Sequence, residues 1–138
     1  MEATAWRAIV AALSDPIVSA CVSAASRLQA EAGAEDVPNL LVLLTSDDFV
    51  IREAAAWPLA ELVGPTVLPE LLAAYQRGFC EGHDNDGFTA ALLEIPALHP
   101  TDAKLALERL AGSASEPMRG HARWLLEFCG AESRGNDA

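Results

Sequence analysis

The sequence predicts an all-α fold, an α-α superhelix of about four stacked helix pairs. Of the 138 residues 51% are hydrophobic but only 6% are aromatic, and alanine and leucine supply much of the apolar content. Valine and isoleucine runs are short, and no window alternates apolar with polar residues for long, which favours helix over sheet. The chain also resembles itself. Gly33, Pro38, Leu40 and Leu41 recur as Gly64, Pro69, Leu71 and Leu72, a shift of 31. At a shift of 67, Leu40, Leu43 and Ser46 return as Leu107, Leu110 and Ser113, and Arg52, Ala55, Trp57 and Leu59 return as Arg119, Ala122, Trp124 and Leu126. A period of this length in a helical pattern marks a right-handed solenoid, in which each unit buries its apolar face on its neighbours.

Each unit divides into two short helices. The first pair is predicted over residues 3–13 and 16–32, around the turn "SDP". The second begins with a helix over 37–44, and "TSDD" at 45–48 makes the turn, because Ser and Asp side-chain oxygens cap the helix that follows. Its partner "FVIREAAAWPLAELV" covers 49–63, with Val50, Ala54, Trp57 and Leu62 near helical spacing. Gly64-Pro65 ends that helix, and Pro58 inside it removes a backbone donor, so a kink is expected. The third pair is predicted over 66–78 and 87–98, and the fourth over 101–111 and 117–129. One domain over 1–130 results, with a polar tail, "AESRGNDA", over 131–138.

With the repeat in view, "SDDFVIREAAAWPLAELVG" resembles a HEAT-like repeat, of the short bacterial variety shared with phycobilisome-lyase-type proteins. The match runs through Asp47 or Asp48, Val50, Arg52, Ala54, Ala55, Leu59 and Gly64. "EPMRGHARWLLEFCG" matches more loosely through Arg119, Ala122, Leu126 and Gly130, while the first and third units lack the arginine. The resemblance implies a HEAT-like solenoid used as a binding scaffold. It also implies that Arg52 and Arg119 pair with turn aspartates of their own or an adjacent repeat. Partner contacts on the concave face are the alternative for both. Trp57 and Trp124 read as inter-repeat packing or, if exposed, as interface anchors. Trp6 is expected to close the N-terminal end of the stack.

Charge narrows the function. Nine basic residues stand against twenty acidic ones, a formal net charge of −11. Such a chain repels phosphate backbones, so no nucleic acid is expected, and a protein partner, if there is one, would be basic. Three cysteines, Cys21, Cys80 and Cys129, with no CxxC, argue against a disulfide framework or a zinc knuckle. The N-terminus lacks the charge and apolar length of a signal peptide, and no stretch approaches the ~20 apolar residues of a membrane span. A cytoplasmic protein with no membrane association is expected.

"FCEGHDNDGF", residues 79–88, is the most polar cluster and reads as an insertion longer than the "TSDD" turn. Calcium loops need oxygen ligands at alternate positions, and aligning Asp84 and Asp86 to one leaves Gly82 first and Leu93 last. Cys80 and His83 have an acceptable zinc spacing but no second pair. Cys80, His83 and Asp84 are too close in sequence to converge on one reacting atom, and no recognised catalytic motif is present. The expected role is a cap and turn, with Asp84 or Asp86 capping the next helix and Gly82 and Gly87 supplying turn conformations. No cofactor or metal is expected. Glu53, Glu61 and Glu94 lie on second helices, whose default is a solvated face.

The candidate partner contacts are Glu53, Trp57, Glu81, His83, Asp84, Asp86, Arg119 and Arg123. Together these features point to a non-enzymatic protein-binding module, an acidic immunity or inhibitor protein that neutralises a basic partner such as a bacterial toxin. An accessory HEAT-repeat role, lyase-like or chaperone-like, is the alternative, and a metal-binding or catalytic site in the 79–88 loop is a lesser one. A lyase-like role would require a greasy groove and a usable cysteine, for which Cys80 is the candidate. A DNA-binding HEAT protein would need a basic concave face that nine basic residues do not easily build.

Overall fold

The computed structural model describes the backbone of residues 1–137 and the side chains of residues 1–129. The tail expected over 131–138 falls outside the residues whose side chains are described. The chain is all-helical: α1 (Ala3–Leu13), α2 (Val18–Glu31), α3 (Val37–Leu44), α4 (Phe49–Leu62), α5 (Leu68–Cys80), α6 (Asp86–Leu98), α7 (Pro100–Ser113) and α8 (Met118–Asp137). Among the described residues no helix is long and apolar enough to cross a membrane.

Local chemistry sets these boundaries. Asp48 caps α4, its Oδ1 accepting the Val50 amide at 2.9 Å. Gly64, at φ +77°, takes the left-handed conformation just past the end of α4. The α4 helix runs on through Pro58, and α6 does the same through Pro96. Of the residues that recur at a shift of 31, Pro38 and Pro69, and Leu40 and Leu71, have the same local roles, while Gly33 is extended where Gly64 is left-handed. A short 3₁₀ turn, Ala34–Asp36 or Gly64–Val67, precedes α3 and α5, and Pro38 and Pro69 each sit in the first helical turn. Their missing amide hydrogens cost nothing there. Leu40 and Leu71 then turn fully inward.

Packing follows the pairing in three of the four pairs, whereas α5 meets α6 only lightly and α6 lies chiefly on α4. The α1 helix lies on α2, α3 on α4 and α7 on α8. The second helices form a layer in which α2 touches α4, α4 touches α6, and α6 touches α8, while the first helices meet more loosely. Alanines 54, 55, 56 and 60 let α4 approach its neighbours closely, and all four are buried. Leu28, Leu40, Leu59, Leu71, Phe88 and Leu92 are fully buried in the same core, each worth about 1.5–3 kcal/mol of transfer free energy. Trp6 is half-buried against this core, on the first helix.

Candidate functional site

A groove of about 240 Å³ opens between α2 and α4, with the start of α6 at one end. Helical spacing builds it. Cys21, Val22, Ala25, Ser26 and Gln29 form one stripe of α2, and Val50, Glu53, Ala54 and Trp57 form the facing stripe of α4. Small residues, Ala25, Ser26, Ala54 and Gly87, keep the floor low. Gln29 donates from Nε2 to Glu61 Oε1 at 2.6 Å, tying α2 to α4 one turn beyond Trp57. The Cys21 thiol is turned to the Asp15 carbonyl oxygen at 2.8 Å. Among the described residues no basic side chain lines the groove.

Glu53 is its distinctive group. The side chain is half-buried and has no hydrogen-bond or ion-pair partner among the described residues. Its carboxyl lies directly over Gly87, so close that a methyl group built there would be 2.5 Å from Glu53 Cδ. Burial first, and then the charges of Asp84 and Asp86, hold the Glu53 carboxyl above its ordinary range. Gly87 is therefore a helical residue that makes room for Glu53, and it does not supply the turn conformation expected of it.

The loop beside this end is shorter than the sequence suggested. Phe79 and Cys80 belong to α5, leaving 81–85 as the connection, one residue more than the 45–48 turn. The reason is a compact C-terminal reversal. Gly82 has φ +78°, the His83 amide donates to the Gly78 carbonyl at 2.9 Å, and the Gly82 amide donates to Phe79 at 3.1 Å. Asp84 Oδ1 accepts the Asp86 amide at 3.0 Å, so it shapes the turn, while Asn85 holds the cap position of α6 without a side-chain cap bond. Asp86 is the first residue of α6, where its charge suits the helix dipole. Among the described residues no group of three or more His, Cys, Asp or Glu is arranged to hold a metal ion.

Behind the loop stands a charged buttress. Arg52 is wholly buried and donates to the Ser46 and Asp47 carbonyls at 2.9 and 3.2 Å and to Glu81 Oε1. Arg77 completes it, donating to Glu81 Oε2 at 2.8 Å and Asp47 Oδ1 at 2.9 Å. Hydrogen bonds from Arg77 and then Arg52 hold the Glu81 carboxyl below its ordinary range. Arg52 thus pairs with turns of its own and the next helix pair, through carbonyls and a glutamate where turn aspartates were expected. Glu81 is consequently a structural bridge. His83 stacks on Phe49, ring centroids 4.3 Å apart, and its Nε2 lies 3.5 Å from Glu81 Oε1.

Of the eight candidate contacts, Glu53 and Trp57 share the groove, and Asp84 and Asp86 act on its Glu53 end. Arg119 and Arg123 lie on α8, which contributes nothing to the lining. Arg119 Nε pairs with Glu116 at 3.2 Å in its own segment, and among the described residues it has no ion pair with a turn of another pair. The α2 wall and Arg77 were not anticipated. The 31-residue period carried the signal for the wall, since it maps Val22 onto Glu53 and Ser26 onto Trp57. Cys80 is exposed, but it does not line this groove. No match was found among protein-family models, curated proteins or solved structures.

Proposed function

We propose that this chain is a non-enzymatic protein-binding module of HEAT-like character whose groove face docks on a basic protein, in the manner of an immunity or inhibitor protein. The observation that carries this reading is Glu53, a half-buried carboxylate that among the described residues has no partner and shares its groove with no basic side chain. Ionising a carboxyl there costs desolvation and meets like charge from Asp84 and Asp86. An incoming cation relieves both. The arginines nearest the loop, Arg52 and Arg77, are already engaged by Glu81 and Asp47 and do not neutralise the site. The net charge of −11 adds long-range steering of a basic partner.

The test is direct mixing with a basic protein encoded beside this chain, followed by size-exclusion chromatography and calorimetry across a salt series. An equimolar complex that weakens as salt rises is the expected result. Separate elution at low salt would count heavily against the proposal.

A further inference from the structure

The groove is small, and its walls are of two kinds. At about 240 Å³ it is below the ~300 Å³ at which pockets for drug-sized ligands begin, and it suits one long side chain. Glu53 and Trp57 are four residues apart on α4, so a carboxylate and an indole stand side by side along one wall. The rim is apolar and open to solvent: Val22 is 60% exposed and Val50 44%. Val18, one turn before Val22 on α2, is exposed as well. Asp84 and Asp86 add negative charge at the Glu53 end.

We propose, resting on the protein-binding reading above, that this groove seats a single arginine side chain of the partner protein. Its guanidinium pairs with Glu53 and lies against Trp57, and its methylene stem is covered by Val22 and Val50. Arginine fits better than lysine for geometric reasons. A planar guanidinium offers a fork of donors to a carboxylate while its face rests on an aromatic ring. The ammonium of lysine is a strongly hydrated point charge without that face. The long arginine stem matches an apolar rim beside a charged wall. A ring of apolar contacts that excludes water around one anchoring pair is also how protein interfaces concentrate binding energy.

The probe is Nα-acetyl-arginine-N-methylamide, titrated into the isotopically labelled protein while the three indole N–H signals are followed by NMR. Its citrulline counterpart keeps the shape without the charge, and its lysine counterpart keeps the charge without the plane. The expected result is a saturable millimolar shift at Trp57 alone, with Trp6 and Trp124 unmoved. Citrulline should give none, and lysine should bind several-fold more weakly. Glu53→Gln, with its helical circular dichroism unchanged, should weaken arginine binding by about tenfold or more. Equal shifts with citrulline, equal affinity for lysine, equal movement of all three indoles, or undiminished binding by Glu53→Gln would each overturn the proposal.

The two levels fail separately. If Glu53→Gln still forms the complex with the basic partner at full affinity, the arginine seat is wrong and the docking function survives. If no protein complex forms while the arginine amide saturates Trp57, the seat stands and the docking function falls.

Discussion

Helices α4 and α8 carry the same pattern, arginine, alanine, tryptophan and leucine at matching positions, and the structure treats them differently. Ala55 and Ala122 are both fully buried, as are Leu40 and Leu107 on the preceding helices. The arginines diverge: the Arg52 side chain is 0% exposed and Arg119 40%. The tryptophans diverge as well. Trp57 borders an open groove, whereas Trp124 stacks on Tyr75, centroids 5.9 Å apart and nearly parallel, and meets Phe128 edge-on. The cause is position. Two second helices, α2 and α6, flank α4, and the turn of the next pair delivers Glu81 onto Arg52. Among the described residues no later pair covers the turn before α8. The leucines shift too, since Leu59 is fully buried while Leu126 is partly buried beside the buried Leu125, so the repeat keeps the alanine inward and the neighbours decide the rest.

The largest effect that sharpens this contrast is at the arginines. Arg52→Met removes a buried guanidinium's bonds to the Ser46 and Asp47 carbonyls and to Glu81, which keeps Arg77 as a partner, and should cost about 2–3 kcal/mol. Arg119→Met breaks only an exposed pair within its own segment and should change stability by less than about 0.5 kcal/mol. Urea denaturation of both variants measures the difference. Equal losses would mean that the two repeats are buttressed alike.

Tryptophan comes next. Trp124→Ala empties a half-buried site stacked on Tyr75 and should destabilise by about 2 kcal/mol. Trp57→Ala should cost less stability, because one side of its indole already borders the groove, yet it should weaken partner binding more. Thermal melts beside a binding isotherm separate the two outcomes.

The boundaries of α3 and α4 and the start of α5 were legible to within two residues because they rest on local chemistry, whereas α8 runs to Asp137, past the expected end at 129. The Asp48 cap, the Gly64 stop and the prolines in the first turns of α3 and α5 each act through neighbouring backbone. The repeat made the layered pairing legible too. The groove was legible in part: Glu53 and Trp57 stood out, but their opposite wall on α2 is ordinary in composition. The length of the 79–88 loop was misread because Phe79 and Cys80 are as acceptable to a helix as to a loop. What decides is the reversal at Gly82, which depends on a bond from His83 back to Gly78. The roles of Gly78 and Gly87 were invisible, since each is set by a side chain from elsewhere, Asn85 and Glu53.

Gly78 allows a smaller test of that close packing. A Cβ there would meet Asn85 Oδ1 at 2.2 Å, and Asn85 is buried with its Nδ2 donating to the Tyr75 carbonyl. Gly78→Ala should therefore destabilise by about 1–2 kcal/mol despite alanine's better helix propensity. Gly112 has open space around its Cβ position. Gly112→Ala should stabilise α7 by about 0.5–1 kcal/mol. Chemical denaturation checks the opposite signs.

A small stability effect of unusual sign should come from the residue with the largest role in binding. The folded structure raises the carboxyl pKa of Glu53, through burial and then through Asp84 and Asp86. A carboxyl raised in the folded state binds its proton more tightly there than in the unfolded chain. Its stability term is fully present below the ordinary glutamate range and is lost as pH rises through the folded value. At neutral pH the ionised side chain is therefore a net cost to the fold. Glu53→Gln removes that charge and should stabilise the protein at pH 7 by up to about 1 kcal/mol after solvent screening. The gain should vanish near pH 3, where the wild-type carboxyl is protonated too. A residue placed for stability would show the opposite sign, so thermal melts at the two pH values, set against the loss of binding, identify Glu53 as a group kept for its partner.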